Sequence, residues 1–160
     1  MPIHSSRYAR VAILSFLLLG LALASPGAAQ DVRLLSTKVA DLLAQFPADS
    51  PASRDKLADQ VLGLGEPGLA EFTKRLAPAG TGNDTAVRFA LNAVAAFASK
   101  APEPKRALAE RSLITALGGA SDVEVRTFLL SQLRLVGREP AVKAAAALLA
   151  DANLVEPATQ

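Results

Sequence analysis

The sequence predicts an all-α fold of stacked antiparallel helix pairs, preceded by a signal peptide. The first observation behind this prediction is a repeat: Glu-Pro, then eight residues, then Leu recurs at Pro67, Pro104 and Pro140, with proline spacings of 37 and 36 residues. The second is that apolar residues recur at helical spacing in every later segment, and none alternates as a strand does. The third is the motif Asp-x-x-Val-Arg, which begins at Asp84 and again at Asp122. Self-similarity at a period of about 20–50 residues is typical of repeat architectures.

The N-terminus has the pattern of a secretory signal peptide. Two arginines precede an apolar run at 11–23, and the helix breakers Pro26 and Gly27 come before two alanines. The run has 13 residues, whereas a helix needs about 20 to span a bilayer. We predict cleavage after Ala29, with cleavage after Ala24 as the alternative, and export to a bacterial periplasm or beyond the cell. The other interpretation is an uncleaved leader, which would be the chain's only attachment to a membrane.

Composition excludes several classes of function. The chain has 17 Lys and Arg against 15 Asp and Glu, but residues 1–29 contain two of the basic residues and no acidic one. The mature chain is therefore formally neutral, which argues against nucleic-acid binding. Cysteine is absent and the only histidine, His4, lies in the leader. Disulfides, thiolate nucleophiles and Cys- or His-ligated metal sites are thereby excluded from the mature protein.

The helices follow in order, each with its own start and stop signals. An apolar stripe predicts a first helix over 31–46, which ends where Phe46 precedes a proline. Ser50 and Pro51 then supply a cap and a first-turn proline for the second helix, which stops at glycines 63 and 65. Pro67 opens the third helix, which runs to Leu76.

After a Pro- and Gly-rich break at 77–83, Asp84 caps the fourth helix. Pro104 opens the fifth, which glycines 118 and 119 close. Asp122 caps the sixth, which Gly137 closes, and Pro140 opens the last full helix, over 142–149. We therefore assign 1–29 to the signal peptide, 30–49 to an N-terminal capping helix and 50–160 to repeats, at about 50–78, 84–118 and 121–151, with the start of another at 156.

These features resemble HEAT repeats in their short bacterial form, over roughly residues 50–160. The resemblance rests on the Asp-x-x-Val-Arg starts, the Gly- and Pro-rich turns and the Ala- and Leu-rich second helix of each pair. It implies a right-handed α-solenoid and places the Asp and Arg of each motif in a ladder between repeats. Those residues are Asp84 with Arg88, and Asp122 with Arg126. The first helix of the first repeat departs from the motif, because it has Ser-Arg-Asp-Lys at 53–56 in place of Asp-x-x-Val-Arg. This departure fits a terminal capping repeat.

The residues predict no enzyme and no cofactor. The Gly-rich loop at 80–84 lacks the Gly-Lys-Ser/Thr ending of a phosphate cradle and does not follow a strand. Ser112 and Ser131 have no base that could activate them. Without histidine, neither a Glu-x-x-His nor a His-x-x-x-His metal motif exists in the mature chain.

Partner binding is the remaining expectation. Lys74 and Arg111 both stand seven residues after a repeat proline, so they should stack into a small basic ridge, joined by Lys143. The alternative is that these are ordinary solvated side chains. A ridge of this kind would suit an acidic protein partner or a glycan.

Val155-Glu156-Pro157 begins one more helix, and Leu148, Leu149 and Leu154 should then be left partly uncovered. We therefore expect the chain to be the N-terminal part of a longer protein. The predicted function is an exported, non-catalytic protein-interaction scaffold. The alternative is the repeat segment of a longer multidomain enzyme or binding protein, and a HEAT-like lyase of the phycobilisome kind is a weaker third option.

Overall fold

The computed structural model describes the backbone of residues 26–159 and the side chains of residues 34–159. This part of the chain contains eight helices and no strand, which confirms the all-α prediction. The helices are α1 (Pro26–Leu43), α2 (Pro51–Gly63), α3 (Gly65–Thr73), α4 (Thr85–Ala98), α5 (Glu103–Gly119), α6 (Val123–Val136), α7 (Glu139–Ala146) and α8 (Val155–Thr159). Residues 1–25 of the predicted leader, 1–29, lie outside the described residues, and the proposed cleavage site after Ala29 falls in the first turns of α1.

The chain divides after Val32, and the second unit, Arg33–Gln160, contains helices α2 to α8. Within it, each helix packs on the second helix along the chain: α2 on α4 and α4 on α6, and likewise α3 on α5 and α5 on α7. Consecutive helices also pack on each other from α2 to α6, and the most extensive of these contacts is between α5 and α6. The short α8 packs on α6 and α7.

Local capping chemistry fixes several helix boundaries. The hydroxyl of Ser50 accepts the N–H of Ser53 at 3.1 Å and begins α2, and a carboxylate oxygen of Asp122 accepts the N–H of Val125 at 3.0 Å and begins α6. Gly65, which joins α2 to α3, has a φ of +68°, a conformation that costs glycine little and other residues more. These boundaries are local, and the sequence predicts them correctly.

The core of the second unit is centred on α4, which contributes buried residues on most of its circumference. Four of them are alanines: Ala90, Ala93, Ala95 and Ala98. Small side chains let neighbouring helices approach closely, and the larger Leu91 and Val94 of the same helix are also buried. Val39, Leu42 and Phe46 extend the same core from α1 and the turn after it.

The structure corrects several expectations about helix ends. Helix α1 begins at Pro26, before the expected start, α3 ends at Thr73 and not at Leu76, and α7 ends at Ala146, before the expected end. Leu154 was expected to be partly uncovered, but it is fully buried, because α8 folds back on α6 and α7. Leu148 is partly buried and Leu149 is exposed.

No helix in the described part of the chain is long and apolar enough to cross a membrane.

Candidate partner-binding groove

Helices α3 and α5 flank a groove of about 820 Å³, here called the α3/α5 groove. Each helix contributes one row of residues at helical spacing. The row on α3 consists of Glu66, Pro67, Ala70, Thr73 and Lys74, and the row on α5 consists of Arg111, Ser112, Thr115, Ala116 and Gly119. The lining is completed by Leu76 and Pro78 after α3, by Ala120, Ser121 and Asp122 between α5 and α6, and by Val125 and Leu129 of α6.

The groove is open because small side chains stand where a core would have large ones. Ala70, Ala116 and Gly119 face it, while the larger Val125 and Leu129 are buried beneath. A concave, mostly apolar surface with a few polar groups is the usual composition of a ligand or peptide site.

An ion pair joins the two walls. Nε of Arg111 lies 3.1 Å from a carboxylate oxygen of Glu66, and both side chains are about 60 % exposed. A pair this exposed adds little stability, because water and salt screen it. Among the described residues, the hydrogen bond and ion pair found for Arg111 both use Nε. The pair can therefore be exchanged for contacts with a ligand at little cost.

The predicted basic ridge is only partly formed. Lys74 and Arg111 line the same groove, but Lys143 is not among the residues that line it. Each of the three cations also has a carboxylate partner: Lys74 pairs with a glutamate one turn earlier at 2.8 Å, and Lys143 with Glu139 at 2.9 Å. Each of the two lysines follows its glutamate by three or four positions. Glu66 and Asp122 line the groove together with Lys74 and Arg111, so the rim is mixed in charge.

The partner of Lys74 is Glu71, and the contact changes its acidity. The hydrogen bond from the Lys74 ammonium holds the pKa of the Glu71 carboxyl below its ordinary value, with help from the positive charges of Lys74 and Arg75, while partial burial opposes the shift. Glu71 is consequently ionised at neutral pH and keeps Lys74 beside the groove.

Ser112 is the polar residue that sequence reasoning considered only as a nucleophile. Its hydroxyl oxygen is buried in the wall of the groove and has no hydrogen-bond partner in the described chain. Other helical hydroxyls behave differently: Thr73, Ser99 and Ser131 each donate to the carbonyl three residues earlier. Whether this hydroxyl finds a partner depends on the tertiary packing around it, and no local sequence signal could have indicated the outcome.

The first Asp-x-x-Val-Arg motif forms a junction between loop and helices. Arg88 donates to a carboxylate oxygen of Asp84 at 2.8 Å and to the carbonyl of Ala77 at 3.2 Å. It also pairs with Glu124 of α6 at 2.9 Å, and its guanidinium lies 4.8 Å from the ring centre of Phe128. The pair with Glu124 connects residues 36 positions apart.

Two details of these motifs differ from the prediction. Asp84 does not cap α4 with its side chain, because that carboxylate accepts the N–H of Ala77 and the guanidinium of Arg88 instead. Arg126 donates to the carbonyl of Ala120 at 2.6 Å and forms no pair with Asp122 among the described contacts, since Asp122 caps α6. The prolines at 67, 104 and 140 all lie in the first turn of their helices.

Glu110 is a further residue that the sequence did not single out. It is one of two buried polar or charged residues in the described chain. One carboxylate oxygen accepts the N–H of Arg138 at 2.7 Å and that of Ala141 at 3.2 Å. A carboxylate from α5 thereby caps the N-terminus of α7 and fixes the position of α7 on α5.

Among residues 34–159, no cluster of three or more acidic residues is placed to hold a metal ion. The chain matches no protein-family model, no curated protein and no solved structure. Functional inference therefore depends on the geometry of the α3/α5 groove.

Proposed function

We propose that this chain is an exported, non-catalytic protein-interaction scaffold. In this proposal helices α2 to α7 form a right-handed solenoid of HEAT-like repeats, and the α3/α5 groove holds a segment of a partner protein. The observation that carries the proposal is the groove itself, whose volume of about 820 Å³ is within the range of roughly 300–1,000 Å³ usual for binding pockets.

Two features support the repeat part of the proposal. Helices of one row pack on the next member of the same row, and helices of consecutive pairs pack across the rows. The contact between Arg88 and Glu124 joins residues 36 positions apart, which is close to the spacing of the Glu-Pro motif. Stacked repeats commonly present an extended surface to a partner.

Export is supported by the pattern of the leader. If the leader is cleaved after Ala29, cell fractionation should recover the mature chain from a soluble envelope or culture fraction. Recovery only from the membrane pellet would instead support the uncleaved anchor.

Site-specific photo-crosslinking in cells that export the full chain tests the scaffold. A p-benzoylphenylalanine in place of Thr115, which is exposed in the groove, should form an adduct with one discrete partner. The same group in place of Ala52, which is exposed on α2 and outside the groove lining, is the matched control. If position 115 gives no adduct, or the same adducts as position 52, the proposal is wrong.

A further inference from the structure

The junction between the loop after α3 and the start of α4 contains an acceptor sequence for N-linked glycosylation. In exported proteins, glycans are transferred to an asparagine that is followed by any residue except proline and then by serine or threonine. The chain has three asparagines, and this spacing occurs at Asn83-Asp84-Thr85 alone, because Asn92 and Asn153 each have a valine two residues later. We propose that Asn83 carries an N-linked glycan in the exported chain.

The loop that contains Asn83 has room for a glycan. Its turn is closed by Thr81, whose N–H and hydroxyl both donate to the carbonyl of Pro78, at 3.1 and 2.8 Å. Residues 79–83 are all exposed, and a Cβ placed on Gly80 would meet no atom within 4 Å. A glycan is bulky and hydrated, so an ordered loop with open space beside it is the kind of surface that accepts one.

The side-chain nitrogen of Asn83, Nδ2, is available in the folded chain. Oδ1 of Asn83 accepts the N–H of Thr85 at 3.2 Å, and this donor fixes which atom of the amide is the oxygen. Among the described residues, no hydrogen bond is found for Nδ2 of Asn83. The other two asparagines, at 92 and 153, both donate through Nδ2, at 3.1 and 3.3 Å. A glycan on Nδ2 of Asn83 therefore displaces no hydrogen bond of the fold.

The other two residues of the acceptor sequence leave the surface around Asn83 clear. The side chain of Asp84 is 13 % exposed and pairs with Arg88 at 2.8 Å, so it is turned into the protein and its charge is balanced. Thr85 is exposed, and no hydrogen bond is found for its hydroxyl among the described residues. The hydroxyl that the acceptor sequence requires is thus free of competing contacts.

The transfer forms one covalent bond and breaks another. The donor is an oligosaccharide carried on a polyprenyl pyrophosphate, and Nδ2 of Asn83 attacks its anomeric carbon. The bond from this carbon to the pyrophosphate oxygen breaks, and the lipid pyrophosphate leaves with the electron pair. Nδ2 loses one of its two protons to a base of the transferase. Since this transfer takes place on exported chains, the proposal rests on the export part of the proposed function and not on the α3/α5 groove.

Mass spectrometry of the full chain exported by its native host tests the proposal. Trypsin releases residues 76–88 as one peptide, because Arg75 and Arg88 bound it and no lysine or arginine lies between them. Most copies of this peptide should be heavier than the sequence mass by one oligosaccharide, which fragmentation should place on Asn83. The added mass should survive mild alkali, which releases sugars from threonine but not from an asparagine amide. A peptide found only at its sequence mass in the exported chain would overturn the proposal.

Three single variants separate the roles of the two residues. Asn83→Asp keeps an acceptor for the N–H of Thr85 but removes Nδ2, so the glycan should be lost while circular dichroism shows the same helical fold. Thr85→Ala should also lose the glycan, whereas Thr85→Ser keeps the hydroxyl and should retain it. A glycan that persists in Asn83→Asp, or one that is lost equally in both Thr85 variants, contradicts the assignment.

Failure here is distinguishable from failure of the scaffold. Exported chain with an unmodified peptide 76–88 rejects the glycan and leaves the scaffold standing. A glycosylated chain that gives no specific crosslink at position 115 rejects the scaffold and leaves the glycan. A chain recovered only from the cytoplasm rejects export and, with it, the glycan on Asn83.

Discussion

Replacement of Glu110 with alanine should destabilise the fold more than its position in the middle of a helix suggests. Glu110 is 5 % exposed, and one of its carboxylate oxygens accepts two N–H groups at the start of α7. Those N–H groups belong to the set that a helix cannot satisfy internally, and the positive end of α7 adds a favourable field for a negative charge. The alanine variant removes the acceptor of both N–H groups.

The expected magnitude follows from the two hydrogen bonds. A hydrogen bond to a charged group contributes about 1.5–3 kcal/mol net, and the two share one acceptor oxygen, so we take the lower figure for each. The sum is about 3 kcal/mol for Glu110→Ala. Glu110→Gln keeps an acceptor of the same shape and loses only the charge, so about 1 kcal/mol is expected.

Urea unfolding followed by circular dichroism at the helical band measures these losses, with the slope checked for constancy. In a thermal scan Glu110→Ala should lower the melting temperature by about 10 °C for a domain of this size. Glu103→Ala is the matched control, because it removes an exposed glutamate from the same helix whose contact with Arg138 is 3.7 Å long. The reasoning is refuted if Glu110→Ala costs less than about 1 kcal/mol, or no more than Glu103→Ala.

Three further predictions use the same measurements. Leu91→Ala should lower the free energy of unfolding by about 3 kcal/mol, because this side chain is 1 % exposed in the core. Leu34→Ala, at a site 54 % exposed, should change the free energy of unfolding by less than about 0.5 kcal/mol. Similar losses of stability in the two variants would contradict the assignment of Leu91 to the core. Arg88→Ala should lower the free energy of unfolding by about 2 kcal/mol, since a side chain that is 24 % exposed loses its contacts with two carboxylates, a carbonyl and an aromatic ring. A loss below about 0.5 kcal/mol would show that the junction does not stabilise the fold. The lowered pKa of Glu71 means that its contact with Lys74 stabilises the fold at neutral pH, and that this contribution is lost as the pH falls through the lowered pKa. In Lys74→Ala the pKa of Glu71 should rise towards its ordinary value, which an NMR titration of the carboxyl carbon measures. An unchanged pKa would contradict the assigned cause.

The sequence predicted helix starts well where the signal is local. Ser50 and Asp122 accept N–H groups three residues ahead, as cap residues do, and Gly137 follows α6 directly. The same reasoning failed at Asp84, whose carboxylate accepts the N–H of Ala77 and the guanidinium of Arg88 and no backbone N–H of α4. The loop before α4 returns to within hydrogen-bond distance of Asp84, and this path depends on tertiary packing. Helix propensity and capping preference contain no information about it.

The candidate site was predictable only in part. Lys74 and Arg111 both stand seven residues after a repeat proline. This spacing correctly predicted that they lie on one surface, because equivalent positions of stacked helices face the same side. It could not show that Glu66 reaches across to Arg111, that Ser112 is left without a partner, or that Glu110 caps another helix. Each of these depends on the distance between helices, which the spacing of residues along the chain does not determine.

The order in which helices pack has a consequence for how quickly the chain can fold. Among the side-chain ion pairs between helices of the described chain, Asp59 with Lys105 joins the residues farthest apart in sequence, 46 positions. Helices also pack mainly on the next one or two helices along the chain. Chains dominated by such short-range contacts fold in about microseconds to milliseconds, whereas a ribosome adds roughly 5–20 residues per second. Helix α2 therefore waits only a few seconds for its most distant partner, and each helix pair can dock on the previous one while the rest of the chain is still being made.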